Sequence, residues 1–324
     1  MLIATPNLCL DRTVSLAEVV PGSVLRARSV EVTAGGKGVN VARVLRAFGQ
    51  HPPIVGLVAA QDGAHLTQLL TDEGATLVPV SAPGSVRQAT IMIEQNVDRI
   101  TVLNEPGTEL PPETWAAYRE TVRERLSDAR LLVCSGSLPP GAPLDGYGQL
   151  AGLARDAGVL SIVDTAPPPL AASLAHRPDL VTPNLEEAEA ALSGEFGDVL
   201  VGNDEDVIER AGRAALALCE RGARRAAVTA GADGVAFAEH GTVHWLPAAE
   251  VNLVSAVGAG DSFVAGLAIE LLGLPSLPPS IQGWLAALRR GIATAGSSCE
   301  QVRAGGVDPA RVAELLDSLA EKAS

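Results

Sequence analysis

The 324-residue sequence is short of cysteine, lysine and aromatic rings and contains no long apolar run. Its four cysteines, Cys9, Cys134, Cys219 and Cys299, stand far apart with no CxxC spacing. That pattern argues against a disulfide framework and against thiolate metal ligation. Cys134 and Cys219 lie in apolar runs and read as small core residues. No run reaches the ~20 apolar residues of a membrane span, and the first residues lack a basic stretch followed by an apolar one. A reduced cytoplasm is the expected setting, with no membrane partner. Aromatics make up only 3% of residues, so a core drawn from the 47% hydrophobic fraction must be built from Val, Leu, Ile and Ala. Basic groups number 24 against 38 acidic ones, for a net charge of −14. A surface of that sign repels nucleic acid and anionic lipid. It also repels phosphorylated small molecules, so a phosphate site here needs a local basic cluster. Only Lys37 and Lys322 are lysine. Lys322 sits in a polar C-terminal tail. Lys37 sits inside a glycine cluster, where a compact ammonium fits better than a guanidinium fork. Neither GxxxxGK[ST] nor a GxGxxG after the first strand is present.

From about Leu131 onward, short apolar runs alternate with helical patterns. Leu131–Cys134, Leu160–Val163, Leu180–Thr182 and Ala226–Thr229 read as buried strands. Tyr147–Ala157, Glu186–Leu192 and Val207–Arg221 read as helices. Such alternation predicts an α/β fold, a mostly parallel central sheet with helices on both faces. Ligands of such sheets bind beyond the carboxyl ends of the strands. The first hundred residues differ. Val30 and Val32, Ile91 and Ile93, and Ile100 and Val102 recur with period two, which predicts short antiparallel strands covered on one face. We expect a small second sheet, interrupted by helices at Val39–Phe48 and His65–Glu73, that closes over a site or pairs with a second subunit. No linker or repeat divides the chain.

The sharpest chemical signal is Gly258-Ala259-Gly260-Asp261, which opens the apolar helical run from Phe263 to Leu272. Small residues before a helix let backbone N–H groups converge on an anion, and the helix dipole adds positive charge there. That suits a phosphoryl group in flight, with Asp261 at its edge as proton acceptor. The same residues also suit a tight turn with Asp261 as a helix cap. A second glycine cluster, Gly35-Gly36-Lys37-Gly38, precedes another helix that ends near Gly49, with Asn40 one turn in. Gly35 and Gly36 permit a ligand to approach the main chain, and Asn40 can bond sugar hydroxyls. A plain Gly-rich turn with a solvated lysine fits as well. Strand ends carry weaker signals at Ser135-Gly136-Ser137, Asn184 to Glu187, and Thr229-Ala230-Gly231 with Gly234.

Taken in order, Gly35-Gly36-Lys37-Gly38-Val39-Asn40-Val41-Ala42-Arg43, Ser135-Gly136-Ser137-Leu138-Pro139-Pro140-Gly141, Asn184-x-x-Glu187 and Gly258-Ala259-Gly260-Asp261-Ser262 resemble the PfkB carbohydrate kinases of the ribokinase-like fold. The first segment is similar to the branch holding 1-phosphofructokinases, tagatose-6-phosphate kinases and the minor 6-phosphofructokinase. The resemblance implies one kinase domain over residues 1–324, with a lid drawn from about 11–34 and 86–104. It implies ATP and Mg²⁺, a sugar-phosphate substrate, and a lid that can also pair two subunits. Asp261 would be the base and the amides of Gly258, Ala259, Gly260 and Asp261 the anion hole. Asp11, Gly35, Gly36 and Asn40 would hold the sugar. Arg26, Arg87 and Ser137 would line the end receiving its phosphate, and Lys37 can face either phosphate. Asn184 and Glu187 would organise Mg²⁺ through water, and Thr229, Gly231 and Gly234 would border the nucleotide. Arg26, Arg28, Lys37, Arg43 and Arg87 all fall on the sugar side, where the basic cluster is wanted. Two segments depart from the pattern. Val86-Arg87-Gln88-Ala89-Thr90 stands where many 1-phosphofructokinases carry Thr-Arg-x-Asn with a lysine shortly after. Asn7-Leu8-Cys9-Leu10-Asp11 replaces Asn-Pro-x-x-Asp with Asp11 in register. The expected reaction is phosphorylation of fructose 1-phosphate to fructose 1,6-bisphosphate. Alternatives are tagatose 6-phosphate or fructose 6-phosphate as substrate and, more remotely, a non-catalytic sugar-phosphate sensor.

Overall fold

The computed structural model of the chain describes residues 1–195 and 206–321; Lys322 lies outside them. The elements run β1 (Leu2–Ala4), β2 (Cys9–Leu16), β3 (Ser29–Gly35), α1 (Lys37–Ala47), β4 (Pro53–Ala59), α2 (Gly63–Asp72), β5 (Thr76–Ala82), β6 (Arg87–Glu94), β7 (Arg99–Asn104) and α3 (Pro112–Arg125). They continue as β8 (Leu131–Ser135), α4 (Gly146–Asp156), β9 (Leu160–Asp164), α5 (Pro167–Ser173), β10 (Leu180–Val181), α6 (Leu185–Ser193), α7 (Val207–Glu220), β11 (Arg225–Thr229), β12 (Gly234–Glu239), β13 (Thr242–Pro247), α8 (Ala259–Gly273), α9 (Ile281–Cys299) and α10 (Pro309–Glu321).

The main sheet has the order β13-β12-β11-β10-β9-β8-β1-β4-β5. Its seven strands from β11 to β5 are parallel, and β12 and β13 add an antiparallel hairpin at one edge. Alternate residues of each central strand feed opposite layers. Leu132 and Cys134 of β8 pack with Tyr118, Tyr147 and Leu150 on one face. Leu131 and Val133 pack with α1, α8 and α9 on the other, against Leu45, Leu267 and Leu288. Burial on both sides makes these strands read as unbroken apolar runs. The chain starts at β1, winds outward through β4 and β5, and returns to β8 on the other side of β1. That reversal is a topological switch point, and it opens a crevice above the carboxyl ends of β1 and β8.

The second sheet has the order β3-β2-β6-β7. The period-two runs are strands, but the sheet is mixed and not wholly antiparallel. β2 pairs antiparallel with β3 and parallel with β6, and β6 pairs antiparallel with β7. Parallel pairing needs a long crossover, and the chain supplies one between β2 and β6 through β3, α1, β4, α2 and β5. Side-chain alternation is the same in either direction, which is why the sequence pattern does not reveal it. Glu94, fully buried, pins this sheet by accepting from the Val19 amide at 2.8 Å and from Arg99 Nε and Nη2 at 2.6 Å each.

With so few aromatics, each ring in the core carries more packing. Trp284 on α9 is wholly buried, 6.1 Å from the Phe237 ring, with the Arg225 guanidinium 4.8 Å over its face. Trp284→Ala is expected to cost about 3–5 kcal/mol, read as a lower midpoint in urea unfolding. A midpoint unchanged from wild type would show that the layer between β12 and α9 is not held by this ring.

Candidate active site

Helix α8 begins above the carboxyl ends of the sheet. Its N-cap, Gly258, has φ of 82°, in the left-handed region that a side chain would oppose. Among the described residues, no protein hydrogen bond engages the amides of Gly258, Gly260 or Asp261; Ala259 donates to the Ala256 carbonyl at 3.2 Å. A Cβ on Gly260 would meet nothing within 4 Å. The glycine therefore leaves open space at a helix N-terminus whose N–H groups lack protein partners, an arrangement suited to an anion.

Asp261 lies in the first turn of α8 and is buried. It does not cap the helix. Its Oδ2 accepts from Asn40 Nδ2 at 2.8 Å, which leaves Oδ1 as the second acceptor oxygen. Burial pushes its carboxyl up to about 7, with the Asp164 and Glu187 charges adding to the rise and Lys37 and Asn40 opposing it. A carboxylate poised near neutrality can both take and hold a proton.

The cleft beside it measures about 690 Å³ and is lined by Lys37, Asn40, Asn184, Glu187, Thr229, Gly231 and Gly258 to Asp261. Lys37 Nζ lies 3.3 Å from Asp164 Oδ1 and 3.9 Å from Glu187 Oε1. The Asp164 charge holds the ammonium above its ordinary value. Asn184 and Glu187 form a reciprocal cap at the start of α6: Glu187 N donates to Asn184 Oδ1 at 2.8 Å, and Asn184 N donates to Glu187 Oε2 at 3.0 Å. Burial raises Glu187, against the pull of Lys37. Three carboxylates thus face one ammonium, an acidic oxygen surface suited to a hard cation that keeps its waters. No group of three or more side chains converges into a direct metal cage among the described residues. A second, mostly apolar cavity of about 490 Å³ shares Thr229, Gly231, Ala259 and Gly260 with the cleft and adds Gly234, Phe263 and Ile292.

On the other side, the second sheet supplies Asp11. Gly35 faces it so closely that a Cβ would lie 2.1 Å from Asp11 Oδ1. Cys9 Sγ donates to the same oxygen at 3.2 Å, and burial raises the Asp11 carboxyl. Gly36, with φ of 119°, turns the chain from β3 into α1. Asn7 joins this wall to the loop after β8, its Nδ2 donating to Ser137 Oγ at 3.0 Å and to the Pro106 carbonyl at 3.1 Å. Arg87 Nε donates to the Asn7 carbonyl at 3.1 Å and Nη1 to the Glu105 carbonyl at 3.3 Å. Four expected basic groups, Arg26, Arg28, Arg43 and Arg87, do not line the cleft, and Arg87 instead borders a separate small cavity beside Asn7. Arg26 is exposed between β2 and β3 and is not among its lining residues. Arg43 is buried and spends its guanidinium on Asn40, Ala34 and Glu73. Asp164 is a site residue the motifs miss. Its signal is only its place, directly after the apolar run of β9, where a parallel sheet presents ligands.

Residues 4–311 match the pfkB family carbohydrate kinase pattern. A 1-phosphofructokinase from Rhodobacter capsulatus is 33% identical over 263 residues, covering 81% of this chain and 80% of that protein. Phosphofructokinase-2 from Escherichia coli, solved with potassium, superposes with a TM-score of 0.85 at 26% identity, over 99% of each chain. Ribokinase from Thermotoga maritima shares the fold, with a TM-score of 0.71 at 21% identity over 99% of this chain and 98% of that one.

The buried carboxylate makes a stability prediction. In the unfolded chain Asp261 ionises near the ordinary ~3.9, and in the folded chain near about 7. Between these values the folded state keeps the extra proton, so stability falls as pH rises through that window and levels off above it. Asp261→Asn escapes this loss. Its Tm relative to wild type should be clearly higher at about pH 8 than at about pH 4. An equal difference at both pH values would contradict the burial argument.

Proposed function

The chain belongs to the pfkB family of carbohydrate kinases and is a sugar-phosphate kinase, and from that premise we propose that it phosphorylates fructose 1-phosphate to fructose 1,6-bisphosphate. The observation that carries the reading is the buried Asp261 beside the open amides of Gly258 and Gly260. The acceptor hydroxyl gives its proton to Asp261 as its oxygen bonds to the terminal phosphorus of ATP. The bond from that phosphorus to the bridging oxygen breaks, and ADP leaves. The amides of Gly258, Gly260 and Asp261 stabilise the charge on the moving phosphoryl oxygens. Asp11, Gly35, Gly36 and Asn40 hold the sugar so that one hydroxyl meets Asp261. Arg87, with Ser137 beside it, takes the resident phosphate, and Lys37 serves the ATP side, where it already meets Asp164 and Glu187.

Mg²⁺ would be held through water by Asp164 and Glu187, with Asn184 setting the Glu187 side chain, and would offset phosphate charge. Adenine fits the apolar cavity bordered by Thr229, Gly231 and Gly234. The second sheet acts as the lid within a single kinase domain. Val30, Val32 and Leu103, exposed on one of its faces by register, support a homodimer formed there. Arg26, on the same segment, then lies near the subunit boundary. Free thiols at all four cysteines support a cytoplasmic setting.

Fructose 6-phosphate is the second reading, supported by the likeness to phosphofructokinase-2 over the full chain. ADP release measured across fructose 1-phosphate, fructose 6-phosphate and tagatose 6-phosphate separates them. The proposal expects kcat/KM to be highest for fructose 1-phosphate. A higher value for either 6-phosphate overturns the sugar assignment, and turnover of unphosphorylated sugars alone overturns the role of Arg87. Asp261→Asn should lower kcat at least ~10²-fold; near-normal turnover removes Asp261 as the base.

A further inference from the structure

Behind the reacting groups, Asp261 and Asn40 continue into a polar chain whose other members, Arg43, Glu73 and Arg303, none of the steps above uses. Arg43 on α1 is 8% exposed. Its Nε and Nη2 donate to the two oxygens of Glu73, at 2.7 and 2.8 Å, and Nη2 also donates to the Ala34 carbonyl. Its Nη1 donates to Asn40 Oδ1 at 2.8 Å. Asn40 then turns its amide nitrogen to Asp261 Oδ2 at 2.8 Å. Glu73, just past the end of α2, also accepts from Arg303 Nη2 at 2.9 Å. The turn carrying Arg303 wedges between the two halves of the site. A Cβ on Gly258 would lie 3.0 Å from Ala304, and one on Gly305 would lie 3.1 Å from the Asn40 carbonyl.

An asparagine amide has two faces of opposite character and near-identical shape. Only an outside partner decides which face meets a neighbour. With Arg43 donating to Oδ1, the NH₂ group must face Asp261, where it stabilises a carboxylate. Were Arg43 lost, the flipped amide would present its oxygen, which favours the protonated acid and repels the base form. We propose that Arg43, held by Glu73, is a positioning residue for phosphoryl transfer: it fixes the orientation of the Asn40 amide toward Asp261, while the same Glu73 ties down, through Arg303, the turn that backs Gly258. Glu73 suits this post. Burial alone would raise its carboxyl, but the Arg43 hydrogen bonds and the charges of Arg43, Arg303 and Arg46 hold it below its ordinary range, so it stays an acceptor.

The inference rests on Asp261 being the base. The charged groups facing Asp261 are Lys37 from α1, Asp164 from the end of β9 and Glu187 from α6, and none is changed by Arg43→Met. In the wild type, kcat should fall on the acid side as Asp261 takes up its proton. Arg43→Met should move that limb up by about one pH unit, the scale of a lost hydrogen bond to a charged group. At about pH 7 it should lower kcat about fivefold, because the ionised fraction of Asp261 falls from about one half to about one tenth, with the KM for ATP little changed. In an Asn40→Ala background the same change should add nothing further to the limb, since Arg43 acts through Asn40. Arg43→Lys should fall between the two, one ammonium being unable to serve both partners. Should Arg43→Met fail to fold, Glu73→Gln, which keeps the guanidinium and loosens its seat, should shift the limb the same way by less. An unmoved limb in the folded variants, with only Tm lowered, overturns the proposal and leaves the base assignment intact. Full activity in Asp261→Asn would instead overturn the reading on which it rests.

Discussion

Everything in the site follows from holding one carboxylate out of water next to unbonded amide groups. Asp261 is placed where its charge is disfavoured, in a chain whose net charge is already −14, and near Asp164 and Glu187. Two short-range forces keep ionisation within reach of neutral pH: the Lys37 ammonium and the Asn40 amide. Neither would serve if free to move. Lys37 is seated between Asp164 and Glu187, and Asn40 is seated by Arg43. The sheet contributes by bringing these groups together from α1, β9, α6 and α8, four elements far apart in sequence.

The acidic surface and the phosphorylated substrate are reconciled locally. Of the basic groups expected on the sugar side, only Lys37 lines the cleft, while other arginines are spent on structure. Arg43 and Arg303 share Glu73, and Arg99 holds the buried Glu94. The basic cluster is therefore smaller than the count of basic residues in the first hundred positions suggests. A helix N-terminus with open backbone amides can attract phosphate without adding side-chain charge.

What the sequence discloses is local. Gly35, Gly36 and Gly258 mark their turns because glycine tolerates conformations and close approaches that other residues do not, and α1 and α8 begin directly after Gly36 and Gly258. Buried strands announce themselves by apolar runs, and the period-two segments at Val30, Ile91 and Ile100 are strands. What it conceals is pairing at a distance. The parallel partnership of β2 with β6 leaves no mark on alternation. Asp164 has no flanking motif. The contact between Glu73 and Arg303 joins residues 230 positions apart, and Arg43 counts toward the sugar-side basic cluster until its partners are seen. Arg26, by contrast, looks like a ligand and stands in solvent.

The site depends on the ionisation of Asp261, which infrared difference spectroscopy of wild type against Asp261→Asn across about pH 5 to 8 tests most directly. A protonated-carboxyl C=O band that disappears with a midpoint close to 7 in the wild type, and is missing from the variant, is the predicted result. Identical spectra for the two proteins, or a band already gone below about pH 5, would contradict it.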